Sequence, residues 1–186
     1  MTYRGAVMTC HVCKKRAAIQ MRQHKLILCK EHYLEWIVAQ TARFIQKYWM
    51  FPPTARLLAA VSGGKDSLAL WDVLWRLGYN VDGLYIHLGI PGDTDYSTTS
   101  EQMARQFAEQ RGLTLHVISL AQQYGESIPQ MAARTHRGKL RPCSLCGLVK
   151  RYLMNRFALE NGYKTLVTGH NLDDEVAVLY GNTLTW

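Results

Sequence analysis

A glycine turn between two apolar runs constrains this chain more than any other feature. Residues 57–61 have the composition of a buried strand, and residues 68–74 continue as an apolar helix. The six residues around the turn are Ser62, Gly63, Gly64, Lys65, Asp66 and Ser67. A strand, a tight turn and a helix start bring free backbone N–H groups and the positive end of a helix dipole to one place. The sequence therefore predicts a phosphate-binding loop.

The spacing of this loop differs from that of the Walker loop, which has four residues between its glycines and then Lys followed by Ser or Thr. Here the two glycines are adjacent, and Asp66 follows Lys65. The pattern resembles the pyrophosphatase (PP) loop of enzymes that cleave ATP between its α and β phosphates. A plain strand-to-helix turn is the structural alternative.

The remainder of the body alternates apolar strand-like runs with helical stretches. Strand-like runs at residues 81–88, 113–120 and 164–168 follow the first one. This alternation predicts an α/β fold with a parallel, doubly wound sheet. Ligands of such sheets bind at the carboxyl ends of the strands, where the glycine loop and the segment around Gly169 both fall. Residues 121–139 are ambiguous and indicate a short helix and a mobile loop.

The net charge of +8 is confined to the N-terminal part of the chain. Residues 1–56 contain ten Lys or Arg and two acids, whereas residues 57–186 contain twelve of each sign. The prolines at 52 and 53 end a helix predicted for residues 33–50, so two domains are predicted, residues 1–52 and residues 53–186. A basic module beside a neutral body indicates docking onto a polyanion such as RNA, with a merely solvated basic surface as the alternative.

The basic module carries the ligand set of a metal site. Cys10 and Cys13 form one pair, and Cys29 and His32 form a second pair with the same spacing. Two such pairs match the tetrahedral preference of structural zinc. A module of about forty residues buries little core, and a metal would replace that core. The sequence predicts a structural Zn²⁺ site here, with free cysteines in a small fold as the alternative.

Two further groups of residues have several interpretations. Cys143 and Cys146 stand at a predicted helix start inside residues 127–159, a stretch without acids that favours thiolates. They fit a redox dithiol, half of a zinc site, or two ligands of an iron–sulfur cluster. Three acids at residues 173–175 follow His170 near the predicted phosphate site. They either hold Mg²⁺ or a basic group, or they form an acidic first helical turn.

Four segments together make the chain resemble the TtcA/TtuA family of PP-loop tRNA thiolases, and its TtuA branch most of all. These are the paired zinc motif and the segments at residues 60–74, 143–152 and 168–175. The resemblance implies an ATP site made of Ala60, Ser62, Gly63, Gly64, Lys65, Asp66, Ser67, Ile86, Gly169 and Asp174. It also implies that Cys143 and Cys146 are two of three cysteines that hold a [4Fe–4S] cluster. Asp66, Lys150 and Asp174 would act near the reacting centre.

The activity that this resemblance implies is ATP-dependent tRNA thiolation. ATP with Mg²⁺ would adenylate the C2 oxygen of a uridine, the T-loop ribothymidine, and sulfur would then replace that oxygen. The alternatives are a tRNA cytidine thiolase or another PP-loop adenylating enzyme, and a zinc-stapled fragment that only binds ATP or RNA. The implied partners are tRNA and a sulfur donor such as a thiocarboxylated ubiquitin-like carrier protein. A homodimer is among the assemblies considered.

The family pattern extends beyond this chain. Its members add at least one strand, a third cluster cysteine and a second zinc module, whereas this sequence has five cysteines and ends at Trp186. We therefore expect this chain to be the N-terminal part of a longer protein, with an incomplete PP-loop domain.

No run of eighteen apolar residues and no apolar N-terminal stretch are present, so no membrane association is expected. Cysteines paired as metal ligands indicate a reducing, cytoplasmic location.

Overall fold

The chain divides into two compact units, residues 1–52 and residues 53–186. The structure is a computed structural model that describes residues 2–3, 6–91 and 96–184. Each unit has a hydrophobic core of its own. None of the described helices combines the length and the apolar character that a membrane span requires.

The smaller unit consists of short antiparallel strand pairs and one long helix. Its elements in chain order are β1 (Thr2–Tyr3), β2 (Ala6–Val7), β3 (Ile19–Met21), β4 (Leu26–Leu28) and α1 (Lys30–Lys47). Strand β1 pairs with β2, and β3 pairs with β4. The buried core is made by Cys10, Met21, Leu28 and Cys29. The predicted metal ligands therefore occupy the place where a larger domain has its apolar side chains.

Helix α1 lies three residues earlier than the predicted range of 33–50. It begins at Lys30 because Cys29, in an extended conformation, serves as its N-cap, and the Cys29 carbonyl accepts a hydrogen bond from the Tyr33 N–H at 3.0 Å. It ends at Lys47 because Trp49 has a φ of 50°, which a right-handed helix does not accommodate. The prolines at 52 and 53 follow this end rather than cause it.

The larger unit contains a parallel sheet of the strands β5 (Arg56–Ala60), β6 (Asn80–His87), β7 (Leu115–Ser119) and β8 (Thr165–Thr168). The four strands lie in the order β7-β6-β5-β8. The longer helices between and after them are α2 (Lys65–Arg76), α3 (Tyr96–Arg111), α7 (Pro142–Glu160) and α8 (Leu172–Leu184). The predicted α/β fold with a parallel sheet is confirmed.

Strand β5 lies between two neighbours, and its sequence reflects this position. Leu57, Leu58 and Ala59 are all at most 1% exposed, as expected for a strand that is covered on both faces. Helix α2 is fixed against β6 by Trp71, which is fully buried and donates its indole N–H to the Val81 carbonyl at 3.2 Å. Gly83 makes room for this ring, because a Cβ there would lie 2.5 Å from it. The loop before α2 is thus positioned by a rigid helix.

The strand order creates a topological switch point between β5 and β8. After β5 the chain moves to β6 and β7 on one side, and β8 returns to the other side of β5. In open α/β sheets, ligands bind in the crevice at the carboxyl ends of the strands where the order reverses. The glycine loop follows β5 and residues 169–171 follow β8, so both segments border this crevice.

Residues 120–140 form three short helices rather than one helix and a mobile loop. They are α4 (Leu120–Tyr124), α5 (Ile128–Arg134) and α6 (His136–Leu140). Gly125, with a φ of 71°, ends the first helix, and Ser127 and Gln130 form a capping box at the start of the second. Each helix is too short to show a hydrophobic period in the sequence, which is why the interpretation from the sequence was wrong here.

A polar network with two buried members, Asp82 and Tyr163, joins the strands near their amino ends. The Tyr163 hydroxyl donates to the Asp82 carboxylate at 2.6 Å and accepts from the Arg56 guanidinium at 2.7 Å. Arg56 also donates to Asp82 at 2.9 Å, and His116 Nε2 lies 3.1 Å from the same hydroxyl. Burial and the hydrogen bond to Asp82 raise the pKa of Tyr163 to about 12. The network fixes the residues that enter β5, β6 and β8.

We expect this network to make the larger unit sensitive to alkali. The pKa of Tyr163 is higher in the folded chain than the usual 10, so its contribution is fully present below pH 10 and is lost as the pH rises towards 12. A difference of two pKa units corresponds to about 3 kcal/mol of unfolding free energy. Urea unfolding between pH 9 and 11.5 should show this decline, and Tyr163→Phe should flatten it. Tyr180→Phe, at an exposed position, is the control, and an equal decline in Tyr163→Phe would contradict the assignment.

Candidate active site and candidate metal centre

The predicted phosphate loop is closed by hydrogen bonds between its own serines. The Ser62 N–H donates to Ser67 Oγ at 3.1 Å, and Ser67 Oγ donates to the Gly64 carbonyl at 3.0 Å. Ser67 is buried, and Gly64 is the N-cap of α2. The first N–H groups of a helix have no partner inside that helix, and here they stand beside the open mouth of the turn. The arrangement suits an anion.

Two glycines allow neighbouring backbone to approach this loop closely. Gly63 has a φ of 74°, and a Cβ at this residue would lie 2.3 Å from the Ser100 carbonyl oxygen. Gly169 follows β8, and a Cβ there would lie 2.8 Å from the Cα of Ser67. A side chain at either residue would push the loop away from α3 or from the residues after β8. Gly63 and Gly169 therefore contribute by having no side chain, which lets these backbone segments lie close together.

A cavity of about 710 Å³ opens at the switch point of the sheet. Its wall includes most of the predicted ATP-site residues, namely Ala60, Ser62, Gly64, Asp66, Ser67, Ile86 and Gly169. Taken over the described residues, the wall does not include Gly63, Lys65 or Asp174. Gly63 and Lys65 belong to the same loop, and the exposed Lys65 is the first residue of α2.

Helix α7 brings one of the two predicted cluster cysteines and the predicted lysine to this cavity. Cys146 and Lys150 both line it and are four residues apart, so they share a face of the helix. Cys143 lies at the exposed start of α7 and is not among the described residues that form the wall. A thiol and an amine thus face the same space as the phosphate loop.

Four further residues of α7 line the cavity and were missed in the sequence. They are Gly147, Arg151, Met154 and Asn155. The sequence contains a signal for them, because helix residues four positions apart share a face. Met154 follows Cys146 and Lys150 at this spacing. Arg151 and Asn155 follow Gly147 in the same way. Tyr96 and His170 also contribute to the wall. The cavity combines positive side chains from α7 with an apolar floor from β6.

Asp174 has a structural partner in the described residues. Its carboxylate accepts a hydrogen bond from the Asn171 N–H at 2.9 Å, and its own N–H donates to the Asn171 side chain at 3.1 Å. This reciprocal pair caps the first turn of α8. The ATP-binding role that was expected for Asp174 stays a prediction.

The four predicted metal ligands converge in the smaller unit. The ligand atoms of Cys10, Cys13, Cys29 and His32 all lie within 4.8 Å of one another. His32 Nδ1 lies 3.1 Å from Cys29 Sγ and 3.6 Å from Cys10 Sγ, and the Cys13 and Cys29 sulfurs are 3.7 Å apart. A tetrahedral zinc ion with bonds of about 2.0–2.3 Å spaces its ligands by roughly 3.3–3.8 Å. The donor set therefore fits a closed tetrahedral metal site.

The thiols of this cluster differ in acidity. Burial disfavours the charged form of Cys10, but backbone hydrogen bonds of Cys13, Cys29 and Val12 outweigh it and lower the pKa of Cys10 to about 6. The backbone hydrogen bond of His32 favours a thiolate at Cys29, yet burial and the neighbouring Glu31 and thiol groups raise the pKa of Cys29 to about 11. A divalent cation would relieve the mutual repulsion of thiolates in this space.

Two family models match the chain. Residues 9–34 match the N-terminal LIM domain of the 2-thiouridine synthetase TtuA, and residues 55–180 match the tRNA methyl transferase HUP domain. The second match covers more than half of the chain. The chain belongs to the TtcA/TtuA family. The resemblance found in the sequence is thereby confirmed, and the four predicted metal ligands of this family member lie within the segment that matches the LIM domain.

Curated relatives of this TtcA/TtuA family member include two bacterial proteins named tRNA-5-methyluridine(54) 2-sulfurtransferase. The protein from Thermus thermophilus is 51% identical over 177 residues, which are 95% of this chain and 53% of that protein. The protein from Thermotoga maritima is 43% identical over 179 residues, which are 96% of this chain and 57% of that protein. The chain spans about half the length of the curated relatives that it matches.

A solved structure shares the fold. The U34-tRNA thiolase NcsA from Methanococcus maripaludis, solved with its [4Fe-4S] cluster, aligns with a TM-score of 0.78 at 24% identity. The alignment covers 97% of this chain and 60% of that chain. The TtcA/TtuA family member therefore shares its fold with the aligned part of that protein.

Proposed function

We propose that this chain forms the nucleotide-binding part of a tRNA 2-thiouridine sulfurtransferase. The observation that carries the proposal is the single cavity in which the PP loop, Cys146 and Lys150 meet. Membership of the TtcA/TtuA family and relatives named 2-sulfurtransferases, one of them 51% identical, support the same activity. The proposed substrate is the base that appears in the names of these relatives, a 5-methyluridine in tRNA.

The first step is adenylation of the base. The C2 oxygen of the uridine attacks the α phosphorus of ATP, the bond to the β phosphate breaks, and pyrophosphate leaves while N3 loses its proton. The N–H groups at the start of α2 and the ammonium of Lys65 meet the developing phosphate charge, and a bound Mg²⁺ shared with Asp66 would neutralise the remainder. Because Ser67 holds the backbone of the loop at Ser62 and Gly64, the N–H groups need no rearrangement as the charge develops.

The second step replaces oxygen by sulfur. A hydrosulfide sulfur adds to C2, the C2–O bond breaks, and AMP leaves with the electron pair. The proton of the hydrosulfide moves to N3, so the products of the two steps are 2-thiouridine, AMP and pyrophosphate. Where a carrier thiocarboxylate is the sulfur source, water first cleaves its C–S bond and releases hydrosulfide and the carrier carboxylate. Lys150 faces the cavity and would stabilise the leaving phosphate. The base must leave its stack to reach this space.

A [4Fe–4S] cluster held in part by Cys143 and Cys146 would supply the binding site for the sulfur atom. The two thiols fit this role in part, because they stand one turn apart at the start of α7 with basic residues around them. The remaining three cysteines of the sequence belong to the other cluster. For that cluster we propose Zn²⁺, which its closed Cys₃His set favours.

The proposed partners follow from charge and chemistry. The basic residues of 127–159 and the net charge of residues 1–56 would bind the tRNA backbone. A sulfur carrier with a C-terminal thiocarboxylate would deliver sulfur, and a homodimer remains the proposed assembly. The proposed tRNA substrate and the reduced cysteine ligands support the cytoplasm as the proposed location of the reaction.

Substituting Asp66 tests the adenylation step. We expect Asp66→Ala to abolish pyrophosphate release from ATP in the presence of a tRNA transcript, because Asp66 is the carboxylate of the loop that lines the cavity. The matched control is Asp173→Ala, an exposed acid of the first turn of α8, which should retain release. Unchanged release in Asp66→Ala would remove the loop from the mechanism.

Nucleoside mass spectrometry of the tRNA identifies the product. Formation of 2-thiouridine derivatives by a longer protein that contains this chain and an intact cluster supports the proposed function. A 2-thiocytidine product would identify a cytidine thiolase instead. If the 186-residue chain and the longer protein both bind RNA and ATP but neither releases pyrophosphate, the chain is a binding module.

A further inference from the structure

The end of α1 presents an aromatic and basic surface to solvent. This surface, here called the α1 platform, consists of Arg43, Phe44, Lys47, Tyr48 and Trp49. The three aromatic residues are 40%, 57% and 92% exposed, in sequence order. The rings of Phe44 and Tyr48 are parallel within 3°, with centroids 5.9 Å apart.

Cations accompany the rings of the platform. The Arg43 guanidinium carbon lies 5.4 Å from the centroid of Phe44, and Lys47 Nζ lies 5.0 Å from the centroid of Tyr48. The sequence contains no acid between Glu35 and Asp66. The platform therefore has a positive charge that no neighbouring acid in the sequence balances.

Trp49 is held in a conformation that disfavours its side chain. The Met50 N–H donates to the Ile45 carbonyl at 3.1 Å, and the Trp49 N–H donates to the Gln46 carbonyl at 3.3 Å. These bonds form a Schellman motif in which the left-handed position, φ 50°, is occupied by Trp49. Glycine is the usual residue there, and a bulky side chain in this region is strained. Burial does not account for tryptophan at this strained position, because its indole is almost fully exposed.

We infer that the α1 platform binds unpaired bases of RNA by stacking, while Arg43 and Lys47 contact phosphates. Exposed aromatic side chains interleaved with cations are the surface on which proteins stack single-stranded nucleic acid. The positive charge of the platform would attract the phosphates of RNA and would not favour an apolar protein segment. We therefore choose RNA as the occupant. That the RNA is a tRNA rests on the proposed function, whereas stacking itself does not require catalysis.

The variant Trp49→Gly tests the inference without endangering the fold. Binding of the 186-residue chain to a fluorescein-labelled 12-mer of oligouridine is measured by anisotropy between 50 and 300 mM salt. We expect the Kd to rise about tenfold, the loss of one base–aromatic stack, with an unchanged slope of log Kd against log salt. The thermal midpoint should stay the same or rise, because glycine suits the left-handed position.

A second variant separates charge from stacking. Lys47→Gln should reduce the salt slope by about one, because one phosphate contact is lost. The matched control is Trp75→Leu. Trp75 is also exposed and lies near Arg76 and Arg111, but both of these cations pair with Asp72, at 2.6 and 2.7 Å. Its substitution should leave the affinity for oligouridine unchanged.

Two results would overturn the inference. One is an affinity of Trp49→Gly equal to that of the original chain. The other is sedimentation showing that the chain is a dimer that Trp49→Gly dissociates, since the platform would then be a protein interface. A failure of the proposed function is distinguishable from both. It would leave oligouridine binding and its dependence on Trp49 intact while no thiolated nucleoside is formed.

Discussion

Removal of the metal is expected to unfold residues 1–52 and to leave residues 53–186 folded. The core of the smaller unit is built around the ligand residues Cys10 and Cys29 themselves, so little apolar burial remains without the ion. Structural zinc contributes about 10–16 kcal/mol in small modules, which is as much as the whole stability of a typical domain, about 5–15 kcal/mol. The larger unit has a separate core and no described residue in the cluster.

Limited proteolysis with mass spectrometry measures this effect. After chelation, or in Cys10→Ser, cleavage should concentrate in residues 1–52, and metal analysis should fall from one zinc per chain to none. His11→Ala is the matched control, because His11 is adjacent to a ligand but exposed and outside the cluster. A Cys10→Ser protein that keeps its zinc and its resistance to protease would disprove the proposed site.

The second large effect is expected at Gly63. Alanine at this residue meets two penalties, the left-handed φ of 74° and a contact of 2.3 Å with the Ser100 carbonyl oxygen. That oxygen belongs to the backbone of α3, so the loop must move instead. We expect the affinity for ATP with Mg²⁺ to fall by at least about tenfold, or ~1.4 kcal/mol, because the N–H groups at the start of α2 no longer converge.

Gly78→Ala separates the two penalties. Gly78 has a φ of 80° but nothing within 4 Å of a Cβ, so its substitution carries the backbone strain alone, of about 1–2 kcal/mol. Calorimetric titration should show normal ATP binding in Gly78→Ala and weakened binding in Gly63→Ala. Equal affinities would mean that the close approach to α3 has no part in nucleotide binding.

The features that could be predicted from the sequence are local ones. The phosphate loop lies within six residues, and the metal ligands lie in two pairs of fixed spacing. The strand pattern predicted the parallel sheet because β5 and β6 are buried along most of their length. The same strand pattern predicted that Gly169 lies at the carboxyl end of a strand.

What could not be predicted depends on the neighbours that the fold brings together. The network of Arg56, Asp82 and Tyr163 joins residues 26 and 107 positions apart, and only the strand order makes them meet. The end of α1 was misplaced because nothing in the sequence predicts that Trp49 adopts the left-handed conformation. Cys143 and Cys146 look equivalent in the sequence, yet only Cys146 lines the cavity among the described residues.

The strand order also has a consequence for synthesis on the ribosome. Strand β5 pairs with β6, which follows soon after it, but its other edge waits for β8, more than one hundred residues later. Until then the Arg56 and Asp82 side chains have no Tyr163 hydroxyl to bind, and the edge of β5 is open to pairing with other chains. The nascent protein therefore passes through a long interval in which its central strand is an edge strand.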